Sequence, residues 1–214
     1  MDINANAKNE IISLSTDLTE AGIDNLLEEG FLKDLPIIGS VVGIIKTSKY
    51  IQEQLLVKKI LYFLKEIKGI STNEKTDFIN KLNNDKKYQT KVEESLLLII
   101  NRLNDYSKSE YIGKLFVATI LGKIDYNTFL KLSNMIDRCY IGDLDNLILF
   151  YNGNKNDVDT DDVDTLYNLG VLINTGISGK TFFYDENKPI PNKKPQYEIN
   201  KYGKLIVEII LKKK

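Results

Sequence analysis

Three stretches carry residue types that could hold a phosphate or a cation. In "NTGISGKTFF" (174–183), Gly179–Lys180–Thr181 has the contiguous ending of a phosphate loop, where glycines bare backbone N–H groups and the lysine reaches the phosphates. The first position is Asn174 instead of glycine, and Thr181 runs into Phe182, Phe183 and Tyr184 where the loop must open a helix. That pattern predicts a hairpin tip. In "DLPIIGSVVGIIKTSKY" (34–50), Gly39 and Gly43 are one residue too close and Lys46–Thr47 follow two residues late. In "DVDTDDVDT" (157–165), Asp157, Asp159 and Asp161 copy the first ligands of a calcium loop. Asp162 then replaces the obligatory glycine, and Asn168 replaces the closing glutamate. The run reads instead as a helix start, capped by Thr160 or Asp161 with acids near its positive end.

What is missing narrows the chemistry further. The 214 residues contain no histidine and one cysteine, Cys139, so no Cys/His zinc site, His-based dyad or internal disulfide can form. The expectation is a non-enzyme without metal or cofactor. The formal net charge of −1 gives no overall field toward nucleic acid or anionic lipid. Residues 1–10 lack a basic region followed by an apolar one, so no signal peptide is read and a cytoplasmic location is expected.

Apolar residues recur every three or four positions from Ile11 to Leu132, and no proline occurs between Pro36 and Pro189. Helices are expected near 5–29, 35–68 (with a break allowed), 73–83, 86–104, 107–122 and 125–138. Ser71 with Glu74 and Ser107 with Glu110 have the spacing of capping boxes. The stretch 36–64 reads as a central buried helix, with Gly39 and Gly43 allowing a close neighbour. Pro36–Ile45 is too short to span a bilayer, which takes about 18 apolar residues.

Beyond Tyr140 the texture changes to a polar turn (151–162), a helix near 161–171, strands within 174–199 and a last helix near 200–212. The expected fold is mainly α: a multi-helix bundle, residues 1–140, followed by a small winged-helix-like α+β module, residues 141–214. Its interaction surface is expected at Asp161, Asp162, Asp164, Lys193 and Lys194. Tyr106, Tyr111, Tyr140 and Tyr151 could add aromatic contacts. A second helix opening on aspartates would meet phosphates with like charge, so the expected partner is a protein and not DNA. Two alternatives stand behind it: a membrane effector inserting 36–64, and a nucleic-acid regulator using the basic C-terminal tail.

The segment 21–67 resembles the N-terminal pattern of a broad group of uncharacterised bacterial helical proteins. An "iD-x-LL" segment, "LKDIPIvG" and a "kKll-FL" helix correspond to Asp24, Leu26, Leu32–Gly39 and Lys58–Leu64. No activity attaches to that pattern. The later half is similar to alpha-type abortive-infection proteins through "YIGKLFVATILGKIDYNTFLKLSNMID", "LYNLGVL" and "YEINKYGKLIVEII". Leu166, Leu169, Gly170, Leu172 and Gly203 fall at matching positions, whereas Asn200–Lys201 replaces the usual threonine region. This resemblance implies a winged-helix-like end and a role in phage defence.

Overall fold

Apolar spacing of three and four residues folds as helices along nearly all of 51–169 in the computed structural model, which describes residues 51–68, 70, 72–177 and 195–212. The expected helix at 5–29, the part of 35–68 before Ile51, the Gly39/Gly43 pair, Ser71, Gly179–Lys180–Thr181, Lys193 and Lys194 lie outside the described residues. The chain is mainly helical, with a small two-stranded antiparallel sheet near its C-terminus. Internal contacts group it into two units, residues 1–113 and 114–214.

In the first unit, α1 (Ile51–Lys68), α2 (Thr72–Asn84) and α3 (Lys86–Arg102) precede the start of α4 (Tyr106–Ile120). Ile60, Phe63, Leu64 and Ile67 of α1 are fully buried, at the spacing that lines one face of a helix. Val92, Leu96, Ile99 and Ile100 do the same on α3, and Phe78, Ile79 and Leu82 on α2. Asp85 caps α3 by accepting from the Tyr88 N–H at 2.9 Å. The capping box expected at Ser107 is corrected: α4 begins one residue earlier, and Asp105 Oδ1 accepts the Ser107 N–H at 2.7 Å. Asp is as good an N-terminal acceptor as Ser, and here it stands nearer the chain's turn into the helix. α4 approaches α1 closely at Gly113, where an added Cβ would lie 2.8 Å from both Phe63 O and Glu66 Cβ.

The second unit continues with α5 (Tyr126–Arg138), α6 (Asp143–Tyr151), a 3-10 turn (Lys155–Asp157) and α7 (Thr160–Leu169). Strands β1 (Leu172–Ile177) and β2 (Pro195–Ile199) follow, then α8 (Lys201–Ile206), which widens into a π turn at Val207–Leu211. Asp125 caps α5, accepting from Thr128 N–H at 2.7 Å. α6, for which the sequence offered no range, packs against α7, β2, α8 and the π turn through its buried Leu144, Leu147 and Phe150. α7 ends at Gly170, whose φ of +87° is the left-handed conformation that closes a helix at no steric cost to glycine. Only Val171 separates it from the first residue of β1, Leu172.

β1 and β2 pair from Leu172↔Ile199 to Ile177↔Pro195, with a bulge between Asn174 and Gly176. Asn200 ties this corner together. Its Nδ2 donates to the carbonyls of Gly170 (2.8 Å) and Leu172 (3.2 Å), and its Oδ1 accepts from the N–H groups of Tyr202 and Gly203. The same side chain therefore caps α8 and fixes the start of β1. α8 can sit this close because residue 203 is glycine: an added Cβ would be 2.5 Å from Val171 O.

Candidate docking surface

α7 carries three of the expected surface residues, but they do not behave alike. Asp161 is exposed in its first turn. Asp162 is half-buried and accepts from Asn146 Nδ2 of α6 at 3.0 Å, so it joins two helices. Asp164 is exposed and accepts the Tyr197 hydroxyl of β2 across a long 3.5 Å. The expected cap is also corrected: α7 begins at Thr160 and its cap position is Asp159, whose side chain makes no capping bond.

The arrangement places like charges together. Burial, then the charge of Asp162, holds the Asp143 carboxyl above the usual carboxylate range, opposed by a hydrogen bond at the Tyr140 backbone. Burial, then the charge of Asp164, raises the Tyr197 phenol, so its hydroxyl remains a donor at neutral pH. Tyr197 also meets Tyr167 of α7, with ring centroids 5.1 Å apart.

Beside this pair lies a groove of about 550 Å³, between α6, the 3-10 turn, α7 and β2. Phe150, Val158 and Val163 give it apolar walls, Pro195 and Tyr197 come from the strand, and its two charged lining residues, Lys155 and Asp164, are of opposite sign. The volume is that of a ligand-sized cleft. Tyr167 and Ile173 remain 43% and 47% exposed, although side chains of this size usually bury more of their surface. Sequence reading missed Tyr167 and Tyr197, whose pairing joins residues 30 positions apart; the alternation in "LINTGI" was the available signal for an exposed Ile173.

The expected aromatic patch divides differently. Tyr106 stacks on Tyr62 with centroids 5.6 Å apart and lies 4.1 Å beneath Lys58 Nζ. Tyr151 donates to Glu208 Oε1 at 2.9 Å and accepts from Lys212 Nζ at 3.0 Å. Both are engaged within their own units, whereas Tyr140 is 75% exposed and Tyr111 is half-buried. Several lysines are engaged too: Lys59 Nζ donates to Asn101 O at the end of α3, and Lys131 Nζ to Tyr202 OH. That bond and the nearby charges of Lys131 and Lys201 lower the Tyr202 phenol.

Among the described residues, no group of three or more Cys, Asp or Glu side chains is placed to hold a metal ion. No helix among them is long and apolar enough to cross a membrane. Fold and site together define a mainly helical protein whose C-terminal α+β end carries a groove of mixed apolar and polar lining. No family model, curated protein or solved structure matches the chain.

Proposed function

We propose that this is a non-catalytic, cytoplasmic protein-interaction protein whose C-terminal end, a winged-helix-like module over 141–214, serves as the docking surface. The supporting observation is the groove beside α7 and β2, lined by Phe150, Val158, Val163 and Tyr197, with the exposed Tyr167 packed on Tyr197. Exposed aromatic and aliphatic side chains around a cleft are the ordinary material of an interface centre. The order α6, α7, β1, β2, α8 supports the winged-helix comparison, because that architecture places two helices before a hairpin. A role in bacterial phage defence rests on the sequence resemblance alone.

The acids argue against the same surface reading DNA. A helix whose first turn carries Asp161 and Asp162 repels the phosphates that supply most nonspecific affinity. Replacing both exposed acids, Asp161→Lys with Asp164→Lys, distinguishes the two partners. Loss of a captured host protein, with melting unchanged, is the expected outcome. Tighter duplex binding with capture unchanged would overturn the reading.

A further inference from the structure

Three consecutive residues of β2, Pro195, Gln196 and Tyr197, line the groove. Neighbouring side chains on a strand point to opposite faces of the sheet, so a groove that meets all three runs along the strand's edge. It is the edge away from β1, because no β1 residue is in the lining and the sheet has two strands among the described residues.

The ladder decides which main-chain groups that edge offers. The Asn200 N–H donates to Val171 O at 3.0 Å, and the next residues inward, Leu172 and Ile199, are partners. Bonded and non-bonded pairs alternate in antiparallel pairing, so Leu172↔Ile199 is non-bonded, Ile173↔Glu198 bonded and Asn174↔Tyr197 non-bonded again. Tyr197 accordingly turns its own N–H and C=O away from β1, on the side of the groove it lines. Among the described residues no backbone bond outside the ladder uses either group. Pro195 has no N–H, which centres any further pairing on Tyr197.

We infer that the groove receives an extended segment of a partner protein, which joins the sheet as a third strand beside β2. Its main chain bonds the Tyr197 N–H and C=O, and alternate apolar side chains enter against Phe150, Val158 and Val163. The inference rests on the docking reading and adds the form in which the partner binds. Main-chain bonds supply affinity that many sequences share, and the apolar lining selects alternate side chains. Lys155 and Asp164 balance each other in the lining, so the complementary segment is one without net charge.

The first test uses the full chain alone. Amide hydrogen exchange followed by NMR is expected to be at least about tenfold faster at Tyr197 than at Glu198, whose N–H lies inside the ladder. Equal protection of the two would overturn the inference, because the edge would already be covered. The second test titrates the full chain with a neutral fluorescein-labelled peptide, GTVSVTG, by fluorescence anisotropy. Binding is expected, changing less than about twofold between low and physiological salt, with slowed exchange at the Tyr197 N–H. Successive amides of a strand point to opposite sides. N-methylation of both valines, or instead of the serine and the threonine after the second valine, should therefore act unequally: one pair costs at least about tenfold in affinity and the other less than about threefold. Thr160→Trp, which adds bulk at an exposed lining position, is expected to abolish binding while the melting temperature holds.

No binding of GTVSVTG, or equal effects of the two N-methylations, would overturn the inference, as would binding that Thr160→Trp leaves unchanged. Binding that Thr160→Trp blocks but neither N-methylation weakens would refute strand addition yet leave the docking reading standing. That reading is lost separately, when Asp161→Lys with Asp164→Lys leaves partner capture unchanged.

Discussion

Asn200 makes four hydrogen bonds from one side chain, two as donor to carbonyls and two as acceptor from the first N–H groups of α8. Asn200→Ala is expected to destabilise the protein by about 2–3 kcal/mol, combining a lost helix cap with two stripped, part-buried carbonyls. Chemical denaturation measures it. Serine at 200 should recover part of the loss, because it can cap α8 but cannot reach both carbonyls. The sequence marked Asn200 only as a departure from the resembled pattern. Its partners at Gly170 and Leu172 lie 30 and 28 positions away, beyond any local spacing rule.

Asp143 gives a pH dependence of known sign. Its folded pKa is raised, chiefly by burial and then by Asp162, so the folded chain holds the proton more tightly than the unfolded chain. Its stabilising contribution is therefore full below the unfolded pKa and is lost as pH rises through the folded one. Asp162→Asn keeps an oxygen for Asn146 but removes the charge. Carboxyl carbon NMR titration should then show the Asp143 pKa moving down toward its ordinary value. An unchanged titration would show that Asp162 does not act on it.

At the scale of elements, two glycines set how closely helices approach. Gly113→Ala would press a Cβ onto Phe63 O and Glu66 Cβ, and Gly203→Ala would press one onto Val171 O and Ile199 Cγ1. Each is expected to lower stability by about 1–3 kcal/mol, since backbone cannot give way as a flexible side chain can. Thermal melts of the two variants check this, and wild-type melting in either would remove the close approach at that glycine. The sequence pointed to close packing at Gly39 and Gly43, outside the described residues, and passed over Gly113 inside "YIGKLF".

The other helices were legible because their apolar residues recur at three- and four-residue spacing, as in Ile60–Phe63–Leu64–Ile67. α6 was not, for identifiable reasons. It has nine residues, no side-chain cap at Gly142, and a near-continuous apolar run, "LILFY", that suits a strand as well as a helix. Of the candidate site, the acids of α7 were legible as a charge cluster, but the groove was not. Phe150, Val163 and Tyr197 meet there only because α6 and β2 fold onto α7.

Across the whole molecule, the net charge of −1 conceals an unequal placement of the two signs. Lys58 lies over Tyr106, Lys59 on Asn101 O, Lys114 on Ile210 O and Lys212 on Tyr151, each within its own unit. Asp157, Asp159, Asp161 and Asp164 instead stand exposed at or just before α7, and Asp164 shares the groove lining with the exposed Lys155. Duplex DNA is accordingly expected to bind only at low salt, with a steep loss as salt rises toward physiological strength. Electrophoretic mobility at two salt concentrations reads this directly.

The central claim is that a protein partner seats beside α7 and β2. Site-specific photo-crosslinking from position 167, with a benzophenone amino acid replacing Tyr167 in the host cell, tests it because this side chain is exposed and packs on Tyr197, which lines the groove. One discrete protein adduct is expected, and it disappears when Asp161→Lys and Asp164→Lys are added. An adduct to nucleic acid, or a protein adduct that survives those two substitutions, would contradict it.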